Sequence, residues 1–117
     1  MSRIAPVPNA LPAVIVQYLG APRRDAALLD CCFTEDAVIM DRGTLYKGRD
    51  SMLAWQDELA QHYPGRKFEI LKVLKGKVAD EYNVRVRVTG PFPGGSSMLF
   101  VFKFRLRGER IAALEIA

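Results

Sequence analysis

Residues 33–43 read FTEDAVIMDRG, and this stretch decides how the rest of the chain is interpreted. Residues 37–40, AVIM, are apolar and strand-forming, and they lead directly into Asp41. Arg42 and Gly43 then predict a tight turn, and residues 44–47 can return as a second short strand before Gly48. The stretch therefore predicts a small hairpin that carries a carboxylate where its first strand ends.

Two helices are predicted before this hairpin and one after it. Asn9 can cap the first helix, with Pro12 in its first turn, and the second follows Asp25 and must end before residue 37. The third starts at Asp50 or Ser51 and stops at residues 64–65, Pro-Gly. The residues at helical spacing are Leu11, Val14, Ile15, Tyr18 and Leu19, then Leu28, Leu29, Cys32 and Phe33, then Met52, Trp55, Gln56, Leu59 and Tyr63.

The second half of the sequence predicts four longer strands over residues 68–75, 82–89, 97–107 and 110–116. Short turn segments separate them, so an antiparallel meander is expected. Apolar residues alternate with polar or exposed ones along two of these strands, for example Val84 and Val86 around Arg85. One face of the sheet is therefore buried, and the fold class is α+β, with three helices packed on a strongly curved antiparallel sheet. Such a sheet leaves an interior in which a pocket can form.

Length and composition fit one globular domain over residues 1–117, with residues 1–8 as a flexible tail. Hydrophobic residues make up 50% of the chain and charged residues 26%. Pro6, Pro8 and Pro12 interrupt the first apolar stretch, and Asn9 lies within it, so it fits neither a signal peptide nor a membrane-spanning helix. We expect a cytoplasmic protein with no membrane association.

The charged and metal-binding residues argue against two function classes. The net charge is +4, but no dense Lys/Arg cluster is interleaved with aromatic residues, so nucleic-acid binding is not expected. His62 is the only histidine, and the two cysteines, Cys31 and Cys32, are adjacent, which disfavours a disulfide between them. This leaves no ligand set at zinc spacing, and we expect no metal site.

Three stretches carry a family resemblance: FTEDAVIMDRG, then the pattern G-x-x-S-M-x-x-W over residues 48–55, then FVFKFRLRGERIAALEI over residues 100–116. Together they resemble the nuclear transport factor 2-like superfamily over nearly the whole chain. The resemblance is closest to its SnoaL-like and ketosteroid-isomerase-like branch. It implies a cone-shaped fold and does not by itself define an activity, because this superfamily includes both enzymes and non-catalytic members.

The isomerase pattern implies two catalytic candidates. A Tyr on the first helix donates a hydrogen bond to the developing enolate, and an Asp at the end of the first strand moves the proton; Tyr18 and Asp41 match these places. A third, protonated acid belongs on a late strand, and Phe100 stands in its position. The implied activity is metal-free and cofactor-free proton transfer on a small, apolar, cyclic carbonyl compound. The alternative is a non-catalytic ligand-binding or dimerisation module.

Each candidate has a structural alternative. Asp41 can instead accept hydrogen bonds from backbone amides of its own turn, and Tyr18 can be a core residue on the apolar stripe of the first helix.

The predicted pocket wall consists of Phe33, Met40, Trp55, Leu59, Met98, Phe100 and Phe102. The predicted outer sheet face is basic, with Leu99 and Val101 as its apolar part, and the resemblance implies a homodimer through it. Its basic residues are Arg85, Arg87, Lys103, Arg105 and Arg107.

Overall fold

The computed structural model describes residues 11–21, 24–92 and 95–117, and these form three helices and six strands. The helices are α1 (Ala13–Gly20), α2 (Ala26–Cys32) and α3 (Arg49–His62). The strands are β1 (Phe33–Asp41), β2 (Thr44–Lys47), β3 (Lys67–Lys75), β4 (Glu81–Phe92), β5 (Gly95–Arg107) and β6 (Arg110–Ile116). The predicted α+β class, with its helices preceding most of its strands, is confirmed.

The starts of the first two helices follow local sequence chemistry. Pro12 is the N-cap of α1, and the predicted cap Asn9 lies outside the described residues. The Asp25 carboxylate accepts a hydrogen bond of 3.2 Å from the backbone N–H of Leu28 and caps α2. β1 begins directly after α2, so Phe33, which the helical spacing assigned to the helix, is a strand residue with extended backbone. An apolar residue fits either element, and spacing alone does not mark the boundary.

The six strands form one sheet in the order β2-β1-β6-β5-β4-β3. The predicted meander of β3 to β6 is confirmed, since each of these strands pairs antiparallel with the next. β1, however, pairs parallel with β6, which the sequence pattern did not predict. This pairing places Asp41 beside Ile116, and the backbone N–H of Arg42 donates to the Ile116 carbonyl at 3.0 Å.

The sheet is curved and its concave face is covered by helices. Register shifts in the β3–β4, β4–β5 and β5–β6 pairs mark irregularities of the kind that bend and twist strands. α1 packs against β3 and β6, whereas α3 packs against β1 and β2. The largest fully buried side chains between these layers include Phe33, Ile39, Met52 and Phe104. None of the described helices combines the length and the apolar character needed to cross a membrane.

The two faces of the sheet differ as the alternation predicts. Val84, Val86 and Phe104 are buried on the concave side. On the outer face the side chain of Leu99 is 61% exposed and that of Val101 is 40% exposed. The basic residues that the sequence placed on this face are all exposed: Arg85, Arg87, Lys103, Arg105 and Arg107.

Candidate functional site

A cavity of about 300 Å³ opens between the end of α3 and the concave face of the sheet. Most of its wall is apolar or aromatic. Its described apolar lining residues are Leu59 and Tyr63 from α3 and its end, Phe68, Val88 and Phe92 from β3 and β4, and Met98, Phe100, Phe102 and Ile116 from β5 and β6. Three charged residues, Asp41, Arg42 and Arg66, line the same cavity. An apolar cavity with a few convergent polar groups is typical of a small-molecule site.

Asp41 lies at the end of β1 with its side chain 10% exposed. The indole Nε1–H of Trp55 donates to its Oδ2 at 2.9 Å, and Nε of Arg42 donates to its Oδ1 at 3.3 Å. Arg42 has a φ of +48° and Gly43 a φ of +92°, so the chain turns sharply here. Among the described residues, the Asp41 carboxylate therefore has two hydrogen-bond partners, and both are side chains. It borders the cavity and also pairs with Arg42, the first residue of the turn.

A second cleft of about 350 Å³ lies next to this residue pair. Both spaces are lined by Asp41, Arg42 and Leu59. The cleft is also lined by Trp55 and Tyr46, which are not among the described residues that line the cavity. The rings of Tyr46 and Trp55 are 6.1 Å apart. Trp55, a residue of helix α3, therefore binds the Asp41 carboxylate from the side of the cleft and not from the side of the cavity.

Tyr18 lies on the buried face of α1 and is 2% exposed. Its ring meets Phe33 edge-on at 5.2 Å and Phe104 at 6.2 Å, and the Arg24 guanidinium lies 4.3 Å from its centroid. Tyr18 is not among the described residues that line the cavity. Its ring thus packs in the core.

Arg66, which the sequence analysis did not single out, lies between the turn at Gly65 and the start of β3. Burial, and then repulsion by Arg24, lower the pKa of its guanidinium, while Tyr18 and Asp41 act in the opposite direction. Arg24, Tyr18 and Asp41 therefore lie close enough to Arg66 to affect its charged form. The sequence did contain a signal for Arg66. It precedes Phe68 by two residues, and residues two apart along a strand point to the same face of the sheet.

Gly90 on β4 makes room for Arg66. A Cβ atom added at Gly90 would lie 3.2 Å from Cγ of Arg66 and 3.5 Å from Cε2 of Phe92. The stem of Arg66 therefore passes close to the β4 backbone, and a larger residue at position 90 would require Arg66 to shift.

The structure brings five of the predicted site residues to one cavity and puts the other four elsewhere. The five are Asp41, Leu59, Met98, Phe100 and Phe102. Phe33 and Tyr18 pack in the core, and Trp55 lies behind Asp41. Met40 is half-buried and pairs with Glu115 on the outer face, because neighbouring strand residues point to opposite faces and Asp41 takes the concave one.

The described residues contain no group of three or more His, Cys, Asp or Glu side chains placed to hold a metal ion. Burial and the adjacent Cys31 raise the pKa of the Cys32 thiol to about 12. The Sγ atoms of the two cysteines are 3.7 Å apart. Cys32 is therefore a protonated core residue rather than an activated nucleophile.

Comparison with known proteins places the chain in a family. Residues 18–114 match the profile of the SnoaL-like domain. A crystal structure from Sinorhizobium meliloti, named "putative polyketide cyclase", is 30% identical, with a TM-score of 0.81 over 93% of this chain and 97% of that one.

More distant structures share the fold. A nuclear transport factor 2-like protein from Exiguobacterium is 18% identical, with a TM-score of 0.72 over 90% of this chain and 97% of that one. A phenazine biosynthesis-related protein from Pseudomonas aeruginosa is also 18% identical, with a TM-score of 0.70 over 88% and 75%. A search of curated proteins gave no significant match. The chain belongs to the SnoaL-like domain family of the nuclear transport factor 2-like superfamily, as the sequence resemblance predicted.

Proposed function

We propose that this protein binds a small, largely apolar, cyclic carbonyl compound in the cavity and transfers a proton at the carbon next to the carbonyl. Asp41 is the general base. The observation that carries the proposal is the placement of the Asp41 carboxylate, which is 10% exposed, in an apolar cavity of about 300 Å³. A carboxylate oriented against the face of a bound ligand is what proton abstraction from carbon requires.

The proposed step balances without a cofactor or a metal. Asp41 takes the proton from the carbon, which leaves an enolate and a protonated carboxyl, and the proton then returns to the same or another atom of the ligand. The enolate oxygen needs a hydrogen-bond donor. Tyr18 is the donor implied by the family resemblance, and its role stays a prediction.

Trp55 and Arg42 orient Asp41 in this mechanism. Their hydrogen bonds of 2.9 and 3.3 Å engage different carboxylate oxygens, so the plane of the carboxylate is defined. The name of the Sinorhizobium relative, "putative polyketide cyclase", supports a cyclic carbonyl compound as the ligand class, since that protein is 30% identical over 93% of this chain.

Deuterium exchange tests the proposed chemistry directly. We expect the protein to accelerate exchange at the carbon next to the carbonyl of β-tetralone in D₂O, measured by NMR above the rate in buffer. Asp41→Asn is expected to reduce the enzyme-dependent rate by at least about a hundredfold, because general base catalysis contributes about that much or more. The matched control is Asp57→Asn, which removes an exposed carboxylate from α3. An unchanged rate in Asp41→Asn would remove Asp41 from the mechanism.

A second candidate function is a non-catalytic ligand-binding module. It is favoured by Phe100, which lines the cavity at the position where the isomerase pattern has an acid. Without that acid the oxyanion site has one donor fewer, and a lost donor costs about a hundredfold or more in rate. Thermal stabilisation by β-tetralone that is retained in Asp41→Asn, with no deuterium exchange in either protein, would favour the module.

We further propose that the protein is a cytoplasmic homodimer that pairs through the outer face of the sheet. The exposed Leu99 and Val101 on β5, flanked by Arg85 and Arg87 on β4, support an apolar centre with a charged rim. Sedimentation velocity of the protein and of Leu99→Asp tests this arrangement, since a charge at the centre of the interface should yield monomers. A monomeric parent protein would contradict it.

A further inference from the structure

The charges around the cavity do not balance. Asp41 is the one described carboxylate that lines it, and Arg42 already pairs with that group. Arg66 also lines the cavity, and Arg24 lies close enough to Arg66 to repel it. Within the described part of the chain, neither Arg66 nor Arg24 forms an ion pair at contact distance. Two guanidinium groups are thus left without a paired carboxylate among the residues that the structure describes.

Phe68 explains the position of these two arginines but does not satisfy their donors. The Cζ atoms of Arg24 and Arg66 lie 4.4 and 5.5 Å from the centroid of the Phe68 ring, which itself lines the cavity. A cation–π contact with a ring does not use the N–H groups of a guanidinium as hydrogen-bond donors. Nη2 of Arg24 is buried and has no hydrogen-bond partner among the described residues.

Such an arrangement is unfavourable in the empty protein. A buried donor without an acceptor has lost its hydration, and two neighbouring cations repel each other. Burial and the proximity of Arg24 both lower the pKa of Arg66. Gly90 nevertheless leaves space for the Arg66 stem next to β4. An anionic group bound at this place would relieve both costs.

We propose that the ligand of this cavity is an organic acid, whose carboxylate is bound by Arg66 with support from Arg24 beside Phe68. This inference rests on the proposed function, because it assigns the substrate class of the same cavity. A guanidinium presents parallel N–H donors that match the two oxygens of a carboxylate. The ring system of the ligand then packs against the apolar wall formed by Met98, Phe100 and Phe102.

The pairing of Asp41 with Arg42 adds a constraint on orientation. The opposite charges of this pair largely offset each other, whereas Arg66 attracts a carboxylate, so the acid group of the ligand is held at the arginines. The uncharged, reacting part of the ligand is then the part that is free to approach Asp41. The arginines therefore select the substrate and also determine which of its carbons meets the base.

The test is isothermal titration calorimetry with two probes of the same size, naphthoate and naphthamide. We expect naphthoate to bind the unmodified protein about ten- to a hundredfold more tightly, the range for a charge-assisted hydrogen-bonded pair. Arg66→Gln should remove that preference and leave the affinity for naphthamide within about twofold. Arg24→Gln should reduce the preference in the same direction and provides a second variant if Arg66→Gln does not fold. Arg85→Gln, on the outer face, is the matched charge control and should change neither affinity.

The outcomes separate this inference from the proposed function. Equal affinity for the two probes, or an equal loss for both in Arg66→Gln, would overturn the assignment of an acid while leaving the cavity as a ligand site. A preference for naphthoate that Arg85→Gln abolishes as well would also overturn it, because net charge alone would then explain the binding. If neither probe binds, the assignment of an organic acid fails, while the proposed proton transfer is decided separately by the deuterium exchange of β-tetralone.

Discussion

Two charged regions of the cavity, called here the Asp41 corner and the arginine corner, differ in whether their polar groups are paired within the protein. At the Asp41 corner, the Asp41 carboxylate accepts hydrogen bonds from Trp55 and Arg42, so both of its oxygens are paired within the protein. At the arginine corner, the guanidinium groups of Arg66 and Arg24 lie near the ring of Phe68 without a paired anion among the described residues. A satisfied buried group contributes to the stability of the fold, whereas an unsatisfied one lowers it and indicates a site for a ligand. The comparison predicts that mutations at the two corners have different effects on stability.

The largest expected effect is at Trp55, which holds the Asp41 corner together. Trp55→Ala should lower the free energy of unfolding by about 3–5 kcal/mol, because it deletes a buried aromatic side chain that is 4% exposed and removes a donor from the carboxylate. Urea denaturation monitored by far-UV circular dichroism measures the change. Asp57→Ala, an exposed substitution on the same helix, should stay within about 0.5 kcal/mol. A loss below about 1 kcal/mol in Trp55→Ala would mean that this corner does not support the fold.

The next effect compares the two corners directly. Asp41→Asn should cost about 1–3 kcal/mol of unfolding free energy, because the amide cannot accept from both Trp55 and Arg42 through two oxygens. Arg66→Gln should change stability by less than about 1 kcal/mol in either direction, because the loss of packing by its stem is offset by removal of an unpaired, half-buried charge. Both are measured by urea denaturation without ligand. If Arg66→Gln costs as much as Asp41→Asn, the arginine corner is structural and the contrast between the corners is lost.

The smallest expected effect is at Gly90, beneath the arginine corner. Gly90→Ala places a Cβ 3.2 Å from Cγ of Arg66, so the side chain must move by a few tenths of an ångström. We expect stability to change by less than about 1 kcal/mol, because the contact is offset by the lower backbone entropy of the unfolded alanine chain. Naphthoate affinity should fall, but by less than in Arg66→Gln. Unchanged affinity would indicate that the exact position of Arg66 does not matter for the acid.

Much of the fold could be predicted from the sequence because it follows from local periodicity. The alternation around Arg85 and Arg87 assigns the two faces of β4 correctly, and the apolar spacing locates the three described helices. The parallel pairing of β1 with β6 could not be predicted, since it joins segments with no turn between them and depends on tertiary packing. The boundary at Phe33 was missed for a related reason, because an apolar residue is compatible with the end of a helix and with a buried strand.

The site was less predictable than the fold. Asp41 was identified by its position after an apolar strand, but its main partner Trp55 reaches it only because α3 packs across β1 and β2. Met40 was assigned to the cavity together with Asp41, although the strand period places adjacent residues on opposite faces. Arg66 was missed because β3 was read from Phe68 onward, and Arg66, which lies just before this strand, continues its period of two. The decisive information was three-dimensional for Trp55, lay in the alternation along the strand for Met40, and lay in extending a period by two residues for Arg66.

The parallel pairing of β1 with β6 also has a consequence for how this protein folds during synthesis. Strand β1, which carries Asp41, is synthesised early. Its neighbour β6 is synthesised after every other described strand, and the Ile116 carbonyl at its end accepts the hydrogen bond from the Arg42 backbone. Contacts between segments so distant along the chain slow folding, because a long loop must close before the pairing stabilises it. While β6 is missing, the inner edge of β1 has no partner. A nascent chain therefore exposes an apolar strand edge until β6 is synthesised, and in this interval it is open to aggregation and to binding by chaperones.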